Sequence, residues 1–285
     1  MKKNLKPFLE DLYARYHSKA FLSSDPLEFV HHYQDPLDQE AVGLIAALLA
    51  YGNVKQIRRS VGDALDRMTR FAGSPSAFVA ALGDPVRGRV ASAALRGFVH
   101  RMNTGEDLAL LLWLLQESRK RQGSLGAHFT SGLSPDALDF TEALNRLIGD
   151  WKSWALGVRR PRGAAFLHLL NAPGDGSVCK RWSMFLRWMG RKDELDFGLW
   201  MEGGPLTAAG HGLRSSQLVM PLDTHIGHIS RELGLTRRKS LNWKASQEVT
   251  NSLRVLDPLD PVRYDFSLCR LGILDLWQAE GVKPK

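Results

Sequence analysis

Apolar residues recur three and four positions apart along most of this chain. Polar residues fill the faces between them in the segments Leu5 to Tyr16, Ala41 to Tyr51, Ile57 to Met68, Leu108 to Gln116, Asp136 to Leu147, Ala164 to Leu170, Arg181 to Met189, Thr224 to Leu233, Lys244 to Leu253 and Tyr264 to Trp277. A spacing near 3.6 residues gives each segment one apolar stripe when it is wound as a helix, so the pattern predicts an all-α protein. Two-residue alternation, the mark of a half-buried strand, gives no convincing run, and neither a long-period repeat nor a low-complexity tract is visible. The breaks fall at Ser23-Ser24-Asp25-Pro26, Gly73-Ser74-Pro75-Ser76, Gly83-Asp84-Pro85 and Gly203-Gly204-Pro205, where proline, glycine and cap-forming residues cluster.

Two joints carry chemistry as well as punctuation. Pro221-Leu222-Asp223-Thr224-His225 places an aspartate where the helix with the stripe Ile226, Ile229, Leu233 begins, and Gly234 stands where it ends. As an N-cap that carboxylate is worth about 1 kcal/mol, and capping is its simplest role. Upstream, Ala172-Pro173-Gly174-Asp175-Gly176 separates two apolar periodic segments. Its glycines supply positive φ while proline and aspartate set the bend, so the segment predicts helix, hairpin turn, helix. Backbone N–H groups at Gly174 and Gly176 could then approach a phosphate closely. After the turn, Lys180, Met184 and Trp188 follow at four-residue intervals and share a face, with the lysine near the first turn. The positive helix end and partial burial both disfavour an ammonium there, so the expectation is a lowered pKa and an amine able to act as a nucleophile. A solvated helix lysine is the plainer alternative.

Taken in this order, the hairpin, the lysine and the aspartate helix start resemble the helix-hairpin-helix base-excision DNA glycosylases, the superfamily of endonuclease III and 8-oxoguanine glycosylase. That family has a Leu-Pro-Gly-x-Gly hairpin, a helix opening with a lysine, and a Val-Asp-[Thr/Val]-His helix start, for which Leu222-Asp223-Thr224-His225 stands here. Gln39 to Asn53 is similar to the early apolar helix whose end carries DNA-wedging residues in the family, and Tyr264 to Gly272 to the last core helix. The lysine stands two positions beyond its place in the pattern, which an ungapped match gives to Val178. It is also 43 positions from the aspartate, with a Gly-rich segment, Phe197 to Gly212, inserted between them. This longer gap is more like the archaeal 8-oxoguanine glycosylase branch, and the whole is nearest to a bacterial group within the superfamily.

The resemblance implies two helical lobes with a cleft between them: residues 35–200, which carry the hairpin, and residues 1–34 plus 201–285, formed by the N- and C-terminal helices. It implies an enzyme that flips a damaged base, an oxidised one such as 8-oxoguanine among the candidates, out of double-stranded DNA and excises it. Asp223 would stabilise the oxocarbenium-like sugar, and Lys180 would attack C1′ to form a Schiff base that permits β-elimination. DNA contacts are expected from Gly174, Gly176, Ser177, Tyr51, Asn53 and His225, and the base pocket from Trp182, Met184 and Trp188. For Tyr51, Asn53, Trp182 and Trp188 the alternative is core packing, and for His225 and His228 it is structural support.

A chain of 285 residues with 44% hydrophobic content can bury a full core. Its formal charge of +8 includes the clusters Arg119-Lys120-Arg121, Arg159-Arg160-Pro161-Arg162 and Arg237-Arg238-Lys239, which suit a polyanion or simply a solvated basic surface. Two cysteines exclude a four-cysteine iron–sulfur cluster or zinc ribbon, so no metal and no other cofactor is expected; Cys179 reads as packing rather than as a nucleophile. Neither a leader-type apolar region nor an uncharged apolar run of about 18 residues occurs, and the expectation is a cytoplasmic, nucleoid-associated monomer with no membrane partner. Two readings from other classes stand beside the enzyme: a non-catalytic helix-hairpin-helix DNA-binding protein, and an all-helical protein-interaction scaffold.

Overall fold

The computed structural model describes residues 5–158, 163–208 and 210–274, and the fold is all-α. Helix α1 (Leu5–Tyr16) leads through 3-10 turns at Lys19–Ser24 and Pro26–His32 to α2 (Pro36–Leu48), α3 (Val54–Ala72), α4 (Pro75–Leu82) and α5 (Arg87–Ala94). A hairpin of β1 (Val99–His100) and β2 (Asn103–Thr104) precedes α6 (Gly105–Gln122), α7 (Leu125–Thr130), α8 (Thr141–Val158) and α9 (Ala164–Leu167). Then come α10 (Lys180–Gly190), α11 (Thr224–Glu232), α12 (Trp243–Arg254) and α13 (Asp265–Ile273).

Helix starts follow local chemistry. The side chains of Asp35, Asn53, Ser74, Ser124, Asp223 and Asn242 each accept a first-turn N–H, and Pro36 and Pro75 occupy the opening positions where no N–H is needed. The break expected at Gly73 to Ser76 is in fact the cap of α4, a helix too short for its stripe to stand out. α8 starts at Thr141 instead of Asp136 because Asp139 Oδ1 accepts the Thr141 N–H at 2.9 Å and fixes the preceding residues as turn. The last expected helix is described as far as Ile273; its continuation from residue 275, like the Arg159 to Arg162 cluster, lies outside the described residues.

Two apolar clusters form. The larger gathers α2 to α8 and most of α10, the smaller α1, α11, α12 and α13. The division expected from sequence puts Leu22, Leu27 and Val30, with Leu206, Leu213, Leu218 and Val219, on the side of the terminal helices; all of them pack in the larger cluster. Gly43 makes the α2–α10 contact close, since a Cβ there would stand 3.0 Å from Met189 Cε. A chain of buried ion pairs joins the clusters: Arg187 with Asp265 and Asp196, Arg191 with Asp193, Asp196 and Asp260, and His17 with Asp193. Deleting one partner of such a pair strands a charge and costs about 3–5 kcal/mol.

Candidate functional site

The meeting point of the clusters is also where α10 and α11 begin. Lys180 opens α10 directly after Cys179, which sits in the left-handed region at φ +51°, a conformation costing a non-glycine residue about 1 kcal/mol. Asp223 caps α11 with Oδ1, which accepts the Ile226 N–H at 2.9 Å. Its other oxygen accepts from Lys180 Nζ at 2.7 Å, so one carboxylate performs both the local and the long-range task. Burial pulls the Lys180 ammonium toward neutrality, but the Asp223 charge outweighs it and Lys180 ends above the ordinary lysine range. Burial likewise works against the Asp223 carboxylate, and Lys180 holds it below the ordinary range. The lowered lysine pKa expected from the helix end alone is therefore corrected: at rest the pair is ammonium and carboxylate.

Both groups line a cavity of about 590 Å³. Ile57, Met184, Pro221, Ile226 and Ile273 form apolar wall, while Arg187, Arg270, Asp25 and Asp265 bring further charge. Arg270 donates to Phe21 O at 3.0 Å, Ser24 Oγ at 3.0 Å and Asp25 Oδ2 at 2.9 Å, and so holds the segment whose Ser24, Asp25 and Pro26 line the cavity. Asp265 accepts from Arg187 Nη1 and, at 3.6 Å, from the Cys269 thiol. Burial raises Asp265 in spite of Arg187, and burial also raises Cys269 well above the usual thiol range. The two carboxylates Asp223 and Asp265 are thus pushed in opposite directions within one cavity, the condition under which like groups take different roles.

Of the residues singled out from sequence, Lys180, Asp223, Met184, Tyr51 and His225 line this cavity. Trp182 and Trp188 do not: both are fully buried in the core, Trp182 with its Nε1 donating to Leu169 O at 3.1 Å. Four-residue spacing puts Trp188 on the face of Lys180, but beyond its first turns α10 is buried all round, and only Lys180 and Met184 escape. Asn53 is the cap of α3. The glycine turn is tied inward: Gly174 N–H donates to Asn145 Oδ1 at 2.8 Å and Gly176 N–H to Pro173 O at 2.9 Å. Those two amides, expected to take a phosphate, are already satisfied. Asp175 adds a bond to Lys152 Nζ at 2.8 Å, and Ser177 Oγ accepts the Cys179 N–H at 3.3 Å. The Cys179 thiol, pushed up to about 12 by burial, is a packing group, as read from sequence. The described part of the Gly-rich insert packs Trp200 into the core, with its N–H on Met189 O at 2.8 Å, and none of it lines the cavity.

Sequence reasoning missed Asp25, Arg187, Asp265, Cys269 and Arg270. The signal was available for two of them, because Arg187 and Arg270 interrupt the apolar runs of α10 and α13. It also missed the β1–β2 hairpin, which two residues per strand cannot announce by alternation. Tyr51 OH donates to His100 O and Asn103 Oδ1, and Gly52 is so close to Arg101 that a Cβ would lie 2.9 Å from its Nη1. The hairpin tip, Arg101 at φ +51° and Met102 at 48% exposed, is thereby fixed beside the cavity. A Ser118–His128–Asp150 array elsewhere is structural: Ser118 Oγ is buried and accepts Trp151 Nε1–H at 2.8 Å, so it cannot meet a substrate.

Among the described residues no cluster of potential metal ligands occurs, and no helix is long and apolar enough to cross a membrane. A family model described as "Protein of unknown function (DUF2400)" matches residues 25–274, a range that takes in Lys180, Asp223 and Asp265. No curated protein and no solved structure matches the chain.

Proposed function

We propose, for a chain that belongs to the DUF2400 family, a helix-hairpin-helix DNA glycosylase with an associated lyase step, in which the two apolar clusters are the cores of two lobes and the cavity between them takes a flipped, damaged base. The observation that carries this reading is the 2.7 Å contact of Lys180 with Asp223 at the wall of a cavity of about 590 Å³. Such a volume lies within the range of about 300–1,000 Å³ usual for small-ligand sites. A base must leave the duplex to reach it, at a cost of a few kcal/mol that a damaged or mispaired base lowers.

The chemistry follows from the pair. As the C1′–N bond breaks, positive charge builds on the sugar and Asp223 stabilises it. That same charge repels the Lys180 ammonium, whose proton passes to the departing base. The freed lone pair closes on C1′, one of the two protons of the resulting C1′–NH2⁺ passes to O4′ as the C1′–O4′ bond breaks and the ring opens, and the protonated Schiff base acidifies C2′–H, whose loss to water breaks the C3′–O bond and expels the 3′-phosphate by β-elimination. The net charge of +8 supplies a sequence-independent attraction to phosphates, and the hairpin tip at Arg101 and Met102, with Tyr51 and His225, is the surface expected to meet the duplex.

The test is borohydride trapping on duplexes carrying 8-oxoguanine, oxidised pyrimidine, uracil or an abasic site. A covalent adduct that disappears in Lys180→Ala is the expected result; an adduct that survives removes Lys180 as the nucleophile. One observation favours a second reading, a non-catalytic DNA-binding module: the lysine rests as an ammonium. Duplex binding with no adduct on any of these substrates would select it.

A further inference from the structure

We propose that a small pocket on the far side of Lys180, centred on Arg181, is a phosphate-binding site. Arg181 is 9% exposed and has no carboxylate partner among the described residues, whereas Arg187, Arg191 and Arg270, the other buried arginines described, each pair with one or more. Its guanidinium instead donates to Leu48 O at 2.7 Å and to His168 O, and lies 5.1 Å from the centre of the Tyr51 ring. Carbonyls at helix ends offset a full charge only in part. Burial accordingly lowers the Arg181 pKa to about 10, the mark of an uncompensated cation.

The pocket beside it holds about 200 Å³, room for a phosphate rather than a nucleoside, and no carboxylate lines it. Polar residues line it from more than one segment, His168 and Asn171 before the hairpin turn and Ser177 and Arg181 after it. Arg181 Nη2 donates to His168 Nδ1 at 3.2 Å, which assigns the ring hydrogen to Nε2 and makes that atom a donor. Burial and the neighbouring Arg181 hold His168 at about 4, so it stays neutral beside the cation. Ser177, Asn171 and the start of α10 complete the wall. The adjoining base cavity, by contrast, matches Lys180, Arg187 and Arg270 with Asp223, Asp265 and Asp25. A neutral base suits the balanced cavity, and a charged tetrahedral group suits its unbalanced neighbour. The two share Ala50, Tyr51 and Lys180, so on the glycosylase reading, on which only this source rests, the ligand is the phosphodiester next to the flipped nucleotide. The other source of the same chemistry is free phosphate.

The experiment is thermal melting of the whole chain in inorganic phosphate against chloride at equal ionic strength. Wild type should show a saturable, phosphate-specific rise in Tm. Asn171→Asp, an isosteric change that supplies the missing carboxylate, should melt higher without phosphate and lose the response; Arg181→Gln should lose it too, and Asn171→Asp keeps the test open if that variant fails to fold. Lesion-free duplex affinity that drops about ten- to a hundredfold in Asn171→Asp, the loss of a charge-assisted hydrogen bond, identifies the DNA backbone as the source. Unchanged duplex affinity with a lost phosphate response identifies free phosphate. Equal melting in the two salts, or a full phosphate response in Asn171→Asp, overturns the site. No base chemistry enters the melting experiment, so a failed glycosylase assay is distinguishable from a failed phosphate site.

Discussion

Replacing Asp223 with Asn removes a charge at the mouth of α11 while keeping the cap. Asparagine ranks with aspartate as an N-cap, so the bond to the Ile226 N–H survives and the helix loses less than about 0.5 kcal/mol. What goes is the partner of Lys180, 2.7 Å away, in a pair whose side chains are 29% and 28% exposed. That exposure lies between a surface pair, about 0–1 kcal/mol, and a buried pair broken by deletion, about 3–5 kcal/mol, so the expected loss of stability is about 2 kcal/mol at neutral pH. The sign of the pH dependence follows from the two shifts. Asp223 is lowered, so its share of the stability disappears as pH falls through the carboxylate range; Lys180 is raised, so its share disappears as pH rises past the lysine range. In catalysis, a carboxylate about 4 Å from a cationic sugar at an effective dielectric of about 20 contributes about 4 kcal/mol, or about a thousandfold in rate. Single-turnover base release should fall by that order while duplex affinity holds. Trapping at a preformed abasic site should respond differently. Without Asp223, burial acts on Lys180 with less opposition, its pKa drops, and the pH profile of adduct formation moves to lower pH. A variant that releases the base at near wild-type rate, or whose trapping profile does not move, would refute the reasoning.

Gly176 has φ +73° and nothing within 4 Å of a would-be Cβ, so Gly176→Ala should cost only the left-handed backbone penalty of about 1 kcal/mol in urea unfolding and, with its amide already bonded to Pro173 O, leave duplex affinity unchanged. An unchanged unfolding midpoint would contradict the turn geometry. Met102→Ala removes an exposed side chain, so stability should move by less than about 0.5 kcal/mol while affinity for a lesion duplex falls; identical gel-shift titrations would take the hairpin out of the interface. His168 is held neutral down to about pH 4, whereas the unfolded chain protonates it near the ordinary 6.5. Stability should therefore fall as pH drops between those values and level off below, by about 2 kcal/mol after allowance for partial exposure, and His168→Gln should flatten that limb.

What could be read from the linear chain is what short-range physics controls. Periodicity located α1 and α10 to within a residue, and the cap at Asp223 was legible because the atoms that satisfy it belong to the next turn. The turn at Pro173 to Gly176 was legible for the same reason, although of its two glycines only Gly176 takes positive φ and Gly174 lies within a 3-10 turn. The sign of the Lys180 shift was not. A helix end and burial both argue for a neutral amine, and a carboxylate 43 residues away reverses them. Trp188 shares a helical face with Lys180, yet which stretch of that face meets a cavity depends on the elements packed against α10. Arg181 looks like any first-turn arginine until the fold buries it without an acid, and Asp265 like any helix start until Arg187 and Cys269 enclose it. Backbone propensities, caps and turns are decided within about one helical turn and belong to the sequence; charge pairing and cavity walls depend on distances between remote segments, and only the packed chain sets those.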